Sequence, residues 1–162
     1  MLEFHIEDKG SRSYWVSFSG SFDDQCTRAL GELHSKLAPS RVCVFNFREV
    51  ENLNSLGIRS WINFLRSFEE GRQIIFEDCT PDVISQINTL PKFTSHSRIA
   101  TFFAYYVCDS CGKESEKHYD VSKGYEAIIA DSEQTRCECG EIMDLEGDED
   151  IYFEFLNVLK SA

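Results

Sequence analysis

Cys108-Asp109-Ser110-Cys111-Gly112 and Cys137-Glu138-Cys139-Gly140 are two short cysteine stretches, and 25 residues lie between Cys111 and Cys137. Four thiols in two glycine-flanked turns can converge tetrahedrally on one soft metal ion, and zinc suits a set of four sulfur ligands. Glycine after each pair lets the backbone turn tightly, because it lacks a Cβ that would clash at positive φ. The sequence therefore predicts one structural Zn²⁺ per chain, held by Cys108, Cys111, Cys137 and Cys139.

Other interpretations of the four cysteines stay open at this point. The second pair is C-x-C, one residue shorter than the commonest zinc knuckle. The alternatives are one or two disulfides, a thiol redox pair formed by Cys108 and Cys111, or an iron–sulfur cluster. His118, between the two pairs, is an alternative zinc ligand, but we interpret it as a solvated loop residue. A redox pair needs an exposed thiolate that no metal saturates, so metal content separates that interpretation from the zinc site.

The other cysteines and the bulk composition indicate a reducing compartment. Cys26, Cys43 and Cys79 lie in or beside apolar segments, where free thiols usually pack as small hydrophobic residues. A chain of 162 residues with 42% hydrophobic content fits one domain with a small appendage. Its amino end is acidic, unlike a secretory signal, and no apolar run approaches the roughly 20 residues of a membrane helix. We therefore expect a cytoplasmic protein that has no membrane partner.

The net charge of −12 is concentrated in the last third of the chain. Residues 1–103 contain 11 Lys and Arg against 13 Asp and Glu, whereas residues 104–162 contain 5 against 15. Affinity for nucleic acid depends on Lys and Arg that neutralise phosphates, so this acidity disfavours a nucleic-acid-binding zinc ribbon. Solubility alone accounts for the acidic surface, and docking to a basic protein surface is the second interpretation.

Hydrophobic periodicity in the first two thirds of the chain alternates between strand and helix. Strands are predicted over residues 2–6, 14–19, 41–47, 73–76 and 99–107. Helices are predicted from Asp23 or Asp24 to Pro39, from Asn54 or Ser55 to Gly71, and from Thr80 or Asp82 to Leu90. This order predicts an α/β fold with a mixed five-stranded sheet, right-handed crossovers and helices mainly on one face.

The last third is predicted to form a small metal-dependent appendage followed by a helix. Apolar residues between the cysteine pairs are interpreted as parts of short ribbon strands: Tyr119, Val121, Tyr125, Ile128 and Ile129. A helix over residues 151–159 would be apolar nearly all round, which favours burial. The predicted division is therefore a sheet domain over 1–105, a zinc ribbon over 106–147, and a C-terminal helix over 148–162 that packs between the two.

The segment Phe47–Trp61, together with the order of elements over residues 2–105, resembles the STAS family, the fold of bacterial anti-sigma-factor antagonists. Members carry a strand, a short loop ending in Asp-Ser-Ser-Gly-Leu or a similar sequence, and then a helix. Here the loop ends in Asn54-Ser55-Leu56-Gly57. The resemblance implies a STAS-like domain that is not an enzyme and binds a protein partner, often an anti-sigma kinase. In that family phosphorylation of the Ser before the Gly releases the partner, whereas this chain has Leu56 at that position and Asn54 in place of Asp.

The helix after this loop is predicted to supply the partner surface. Asn54 or Ser55 is expected to cap it, and its positive N-terminal end favours an anion or a phosphate. Ser55 is then either a plain cap or a modified or partner-contacting residue. Arg59, Asn63 and Arg66 lie opposite the apolar stripe and are expected to face the partner.

No catalytic constellation emerges from the sequence. The four histidines are scattered, and the glycine-rich and metalloprotease motifs of common enzyme classes are missing. A metal site closed by four thiolates offers no position for a substrate or a water molecule. We therefore predict a non-enzymatic, cytoplasmic, bacterial signalling module. A thiol–disulfide redox protein and a nucleic-acid-associated zinc ribbon are the alternatives.

Overall fold

The computed structural model of the protein describes residues 1–160, and side chains through residue 158. The strands are β1 Glu3–Asp8, β2 Ser13–Phe22, β3 Val42–Leu53, β4 Gln73–Glu77, β5 Arg98–Ile99, β6 Thr101–Val107, β7 Glu114–Asp120 and β8 Asp144–Leu145. The helices are α1 Cys26–Lys36, α2 Ser55–Phe68, α3 Pro81–Thr89, α4 Tyr125–Glu133, α5 Glu149–Tyr152 and α6 Asn157–Lys160. None of the helices in this range combines the length and hydrophobicity that crossing a bilayer requires.

The first sheet has five strands in the order β1-β2-β3-β4-β5. β1 and β2 form an antiparallel hairpin, and β2, β3, β4 and β5 run parallel to their neighbours. α1, α2 and α3 are the crossover connections between the successive parallel strands. The predicted mixed five-stranded α/β sheet is confirmed, and β3 is its central strand.

An aromatic core lies between α2 and one face of this sheet. Trp61 is fully buried, and its indole N–H donates a 2.9 Å hydrogen bond to the carbonyl oxygen of Phe93. Its ring lies 5.6–5.8 Å from those of Phe18, Phe45 and Phe47. Because side chains alternate along a strand, the opposite face carries Ser17, Ser19 and Asn46 and is more polar. The prediction that the helices lie mainly on one face is also confirmed.

The single fifth strand predicted over residues 99–107 is wrong, because this run divides between two sheets. Residues 98–99 pair with β4, whereas β6 pairs with β7 and β8 in a second sheet of order β7-β6-β8. The amide of Ala100 still donates to the carbonyl of Phe76, at 2.7 Å, and Phe102 forms a parallel bridge with Cys79. The chain thus leaves the first sheet at Ala100. The predicted domain boundary at residue 105 stays a prediction.

Between β7 and β8 of the second sheet the chain forms a helix, where short strands were predicted. β7 includes Tyr119, as predicted, but Val121 lies in a 3₁₀ turn and α4 begins at Tyr125. Ile128 and Ser132 are the buried residues of α4, and they lie four residues apart on one helical face. The prediction of strands over Tyr125, Ile128 and Ile129 is therefore wrong, because this segment has helical spacing.

The continuous helix predicted over residues 151–159 is also wrong. The chain forms α5, a 3₁₀ turn over Glu154–Leu156, and α6. Its apolar residues divide between the core and solvent, since Phe153 and Leu156 are buried whereas Ile151 and Val158 are exposed. The segment contacts α3 of the first sheet's crossovers through hydrogen bonds with the Asn88 side chain. It contacts β6 of the second sheet through the Phe102 ring. Residues 161–162 of the predicted segment and the Leu159 side chain lie outside the described part.

Candidate metal centre and partner surface

Two tight turns present the four predicted zinc ligands. The first follows β6, where the amide of Gly112 donates to the carbonyl of Cys108 at 2.7 Å. The second follows α4, where the amide of Gly140 donates to the carbonyl of Cys137 at 3.0 Å. Both glycines have positive φ, +73° and +94°, which a residue with a Cβ adopts only with strain. The glycines after each pair therefore do what the sequence pattern predicted.

The two turns bring all four thiols together. The ligand atoms of Cys108, Cys111, Cys137 and Cys139 lie within 4.8 Å of one another. Two sulfur–sulfur contacts cross between the turns, at 3.6 Å for Cys108–Cys139 and 3.5 Å for Cys111–Cys137. Zinc–sulfur bonds of about 2.3 Å place tetrahedral sulfurs about 3.8 Å apart, so the cluster has the size of a four-thiolate zinc site. These four cysteines are placed to hold a metal ion.

The groups around the cluster favour the thiolate form of Cys108, whereas at Cys111 and Cys139 the backbone N–H groups are outweighed by the neighbouring thiols, which raise both pKa values. The backbone N–H of Cys111 lowers the pKa of Cys108 to about 7, since it stabilises the charged form of the thiol. Lys113 lies beside the turns and forms an ion pair with Glu138, which raises the pKa of Lys113. Arg136 donates to the carbonyl of Gly140 at 3.1 Å. Metal binding requires deprotonated cysteines, which carry negative charge. The cations Lys113 and Arg136 would partly offset that charge.

The arrangement of the sulfurs favours one shared metal site over an isolated C-x-x-C redox pair. In such a pair the two cysteines of one turn react with each other, whereas here each thiol also contacts a thiol of the other turn. His118 is not among the ligands. It lies on β7 rather than in the loop predicted from the sequence, and its Nε2 is 2.8 Å from Oδ1 of Asp78.

The loop before α2 has the cap that the sequence predicted. Asn54 is the N-cap, and its Oδ1 accepts hydrogen bonds from the amides of Leu56 and Gly57 at 3.0 and 2.9 Å. The amide of Asn54 donates to the carbonyl of Phe22 at 3.0 Å, which ties the loop to the end of β2. Gly57 is buried, and a Cβ there would lie 1.9 Å from that same carbonyl oxygen. The glycine is therefore required by packing.

The outer side of α2 carries the predicted partner residues on one stripe. Since Asn54 is the cap, Ser55 is a free exposed residue in the first turn. The side chain of Leu56 is 54% exposed. Arg59, Asn63 and Arg66 follow at helical spacing and are exposed. We call Leu56, Arg59, Asn63 and Arg66 the α2 stripe.

A polar network links the two sheets, and sequence reasoning missed it. The Asp78 carboxylate accepts from Asn46 Nδ2 at 2.9 Å and Thr101 Oγ1 at 2.9 Å, and it contacts His118. Burial opposes ionisation of Asp78, but these hydrogen bonds outweigh burial and lower its pKa. Its partners lie 23–40 residues away along the chain, so no local pattern could show the network.

A second link joins the same two sheets. Arg48 of β3 pairs with Glu116 of β7 at 2.9 Å, and its guanidinium lies 4.0 Å from the centre of the Phe103 ring. The Phe103 ring in turn lies 4.8 Å from that of His118. Together with the Asp78 network, these contacts hold β7 against the first sheet.

No protein-family model and no curated protein sequence matches this chain. Among solved structures, the chain is similar to the anti-sigma factor antagonist SpoIIAA in its unphosphorylated form. The two sequences are 14% identical, and the match covers 60% of this chain and 86% of that one, with a TM-score of 0.45.

Proposed function

We propose that this protein is a non-enzymatic protein-interaction module of a bacterial cytoplasmic signalling system, and that it carries one structural zinc ion. The observation that carries the proposal is the α2 stripe. It presents an exposed leucine and two arginines without ion-pair partners within the described part of the chain. The resemblance of Phe47–Trp61 to the STAS family supports partner binding at this same loop and helix.

The charge of the α2 stripe indicates the chemistry of its partner. Residues 55–68 contain two arginines and no acidic residue, although the whole chain has a net charge of −12. An acidic partner surface would pair with Arg59 and Arg66, and charge pairs at the edge of an interface speed and orient association. A large apolar side chain at the centre of an interface supplies much of its affinity, so Leu56 would fill an apolar recess. An anti-sigma or kinase-like regulator is the expected partner class.

The role proposed for zinc is to hold the second sheet in shape. The donor set of four thiols in a cluster of suitable size fits Zn²⁺, which such a set binds with no open coordination position. The second sheet has only three strands, two of them long, and such a small unit gains much of its stability from a bound metal. When bound, the zinc would supply stability and no Lewis-acid chemistry.

The experiment compares capture by the wild type with capture by a charge-reversed α2 stripe. The full-length protein carrying Arg59→Glu and Arg66→Glu is used as bait in host extract beside the wild type, and retained proteins are quantified by mass spectrometry. We expect one or a few acidic proteins to be retained by the wild type and lost with the variant. A third bait, Leu56→Ala, should weaken retention of the same proteins.

The matched control reverses two exposed cations that lie outside α2, Lys9→Glu and Lys123→Glu, which changes the net charge by the same amount. This bait should retain the same proteins as the wild type. Identical retention by the wild type and both α2 stripe variants would rule out the stripe as the interaction surface.

A further inference from the structure

The face of the first sheet that points away from α2 has an apolar centre, and we call it the outer face. Trp15, Val44 and Ile75 are register partners on β2, β3 and β4, so their side chains share this face. All three are half-buried, yet none belongs to the hydrophobic core or packs against it. The buried apolar residues of α1, α2 and α3 all belong to that core. Parallel strands normally have both faces covered, so this face lacks a cover in the described part of the chain.

The outer face has the same polarity pattern on either side of its central strand, β3. On each flanking strand an apolar residue lies between two polar ones: Ser13, Trp15 and Ser17 on β2, and Gln73, Ile75 and Glu77 on β4. The two strands are in register through β3, so these residues form three matched pairs. A half turn about an axis along β3 therefore brings apolar residues onto apolar ones and polar residues onto polar ones.

The two ends of the central row carry opposite charges. Glu7 of β1 is the register partner of Trp15, and Arg98 of β5 is the register partner of Ile75. Glu7 already pairs with Lys9, whereas Arg98 is exposed and has no ion-pair partner among residues 1–160. The same half turn lays β1 of one copy over β5 of the other, so Arg98 meets a carboxylate.

A second face-to-face arrangement is possible in principle, with the two-fold axis across the strands. It would lay each strand over its own copy, so that Glu7 meets Glu7 and Arg98 meets Arg98. It would also set Val42 against Asn46, since these two lie on β3 at equal distances from Val44. Like charges in contact and an apolar residue against an amide both oppose association. Charge and polarity thus both select the axis along β3.

We propose that the outer face binds a second copy of this chain, with the two sheets face to face and the two-fold axis along β3. In such an interface every contact occurs twice. Packed sheets keep their strands within about 30° of each other, which preserves the pairs near the axis. The indole N–H of Trp15 donates to Oε2 of Glu77 at 2.7 Å, so this side chain reaches across β3. The two indoles therefore meet near the axis, where a large aromatic residue contributes most to affinity.

The size of the outer face indicates how strong the dimer is. Five strands about 4.8 Å apart and about six residues long give roughly 400 Å² per copy. This area is at the low end for specific interfaces, so we expect a reversible dimer of micromolar strength. The α2 stripe lies on the opposite side of the first sheet, and either proposal can fail without the other.

Sedimentation velocity of the full-length, zinc-loaded protein over a range of concentrations tests the proposal. We expect the 18.6 kDa chain to double its mass reversibly as its concentration rises. Trp15→Ala should weaken association by about tenfold or more, because it removes the apolar centre. Ile151→Ala is the control, since it truncates an exposed apolar residue outside the outer face and should change the dissociation constant by less than about twofold. Far-UV circular dichroism checks that both variants are folded.

A pair of charge variants tests the axis and leaves Trp15 intact. Ser13 of one copy faces Gln73 of the other, so Ser13→Lys/Gln73→Glu introduces two attractive pairs per dimer. Ser13→Glu/Gln73→Glu introduces two repulsive pairs instead. We expect the first variant to associate at least about tenfold more tightly than the second. Lys123→Glu changes the net charge by the same two units at an exposed position outside the face, and it should have an effect below about twofold.

Three results would overturn the proposal. The first is a wild type that stays at 18.6 kDa at every concentration up to the millimolar range. The second is a dimer that Trp15→Ala leaves as strong as the wild type. The third is equal association of the two charge variants, because the axis along β3 requires them to differ.

Discussion

Replacing Gly57 with alanine tests how α2 is seated on the first sheet. The added Cβ would lie 1.9 Å from the carbonyl oxygen of Phe22, 2.0 Å from its carbonyl carbon and 2.6 Å from the amide nitrogen of Asp23. Ordinary contacts of a Cβ begin at 3.4 Å, so α2 and this segment must separate by about 1.5 Å. All three atoms belong to the backbone, and no side-chain rotation relieves the overlap.

The separation has a cost that can be worked out from the contacts. Overpacking a core by one methyl group typically costs about 1–3 kcal/mol, and a clash with backbone belongs at the upper end of that range. The hydrogen bond from the amide of Asn54 to Phe22 would also stretch, at a cost of about 1 kcal/mol. We therefore expect Gly57→Ala to lower the free energy of unfolding by about 3–4 kcal/mol, which urea denaturation measures. For a chain of this length that loss lowers the melting temperature by roughly 10 °C.

Gly31→Ala is the matched control. Gly31 lies inside α1, and a Cβ there meets no atom within 4 Å. Alanine forms helices better than glycine, so this variant should gain about 0.5–1 kcal/mol. If Gly57→Ala loses less than about 1 kcal/mol relative to the wild type, the close approach between α2 and the end of β2 is not a feature of the protein.

Three further changes test the rest of the structure. Cys111→Ser should release the metal and disorder the second sheet, and both zinc content and near-UV circular dichroism follow this. Asp78→Asn should cost about 1–2 kcal/mol at neutral pH in urea denaturation, because bonds to a charged group are lost. The folded-state pKa of Asp78 lies below its ordinary value of 3.8, so its contribution is present above that value. It is lost as the pH falls through the folded-state pKa, and wild type and variant should converge there. Tyr106→Phe should lower the free energy of unfolding by about 1–3 kcal/mol in the same assay. The substitution removes the Tyr106 hydroxyl, to which the buried hydroxyls of Tyr119 and Ser132 both bond.

The first sheet could be predicted because its signals are local. Asn54 caps α2 through atoms two and three residues away, and the apolar spacing along that helix places Trp61 in the core whatever surrounds it. Each cysteine pair also predicts its own tight turn, and a zinc site that needs four thiols predicts that the two turns meet.

The second sheet could not be predicted in the same way, because its partners are distant in sequence. Residues 99–107 are an apolar run that fits a strand of either sheet, and the bridge between Phe102 and Cys79 decides where the chain crosses. The contact between His118 and Asp78 spans 40 residues and leaves no trace in local composition. α4 is different, because the four-residue spacing of Ile128 and Ser132 is a local helical signal. The ribbon strands predicted for this segment disagree with that signal.

The metal content of the purified protein, with the reactivity of its thiols, tests the central claim most directly. We predict one zinc ion per chain by elemental analysis. Cys111 and Cys139 are exposed, and they should resist a thiol reagent until a chelator removes the metal. Removal should also abolish the near-UV signal of the second sheet. A protein purified without metal, folded throughout and with Cys111 and Cys139 freely reactive, would contradict the account.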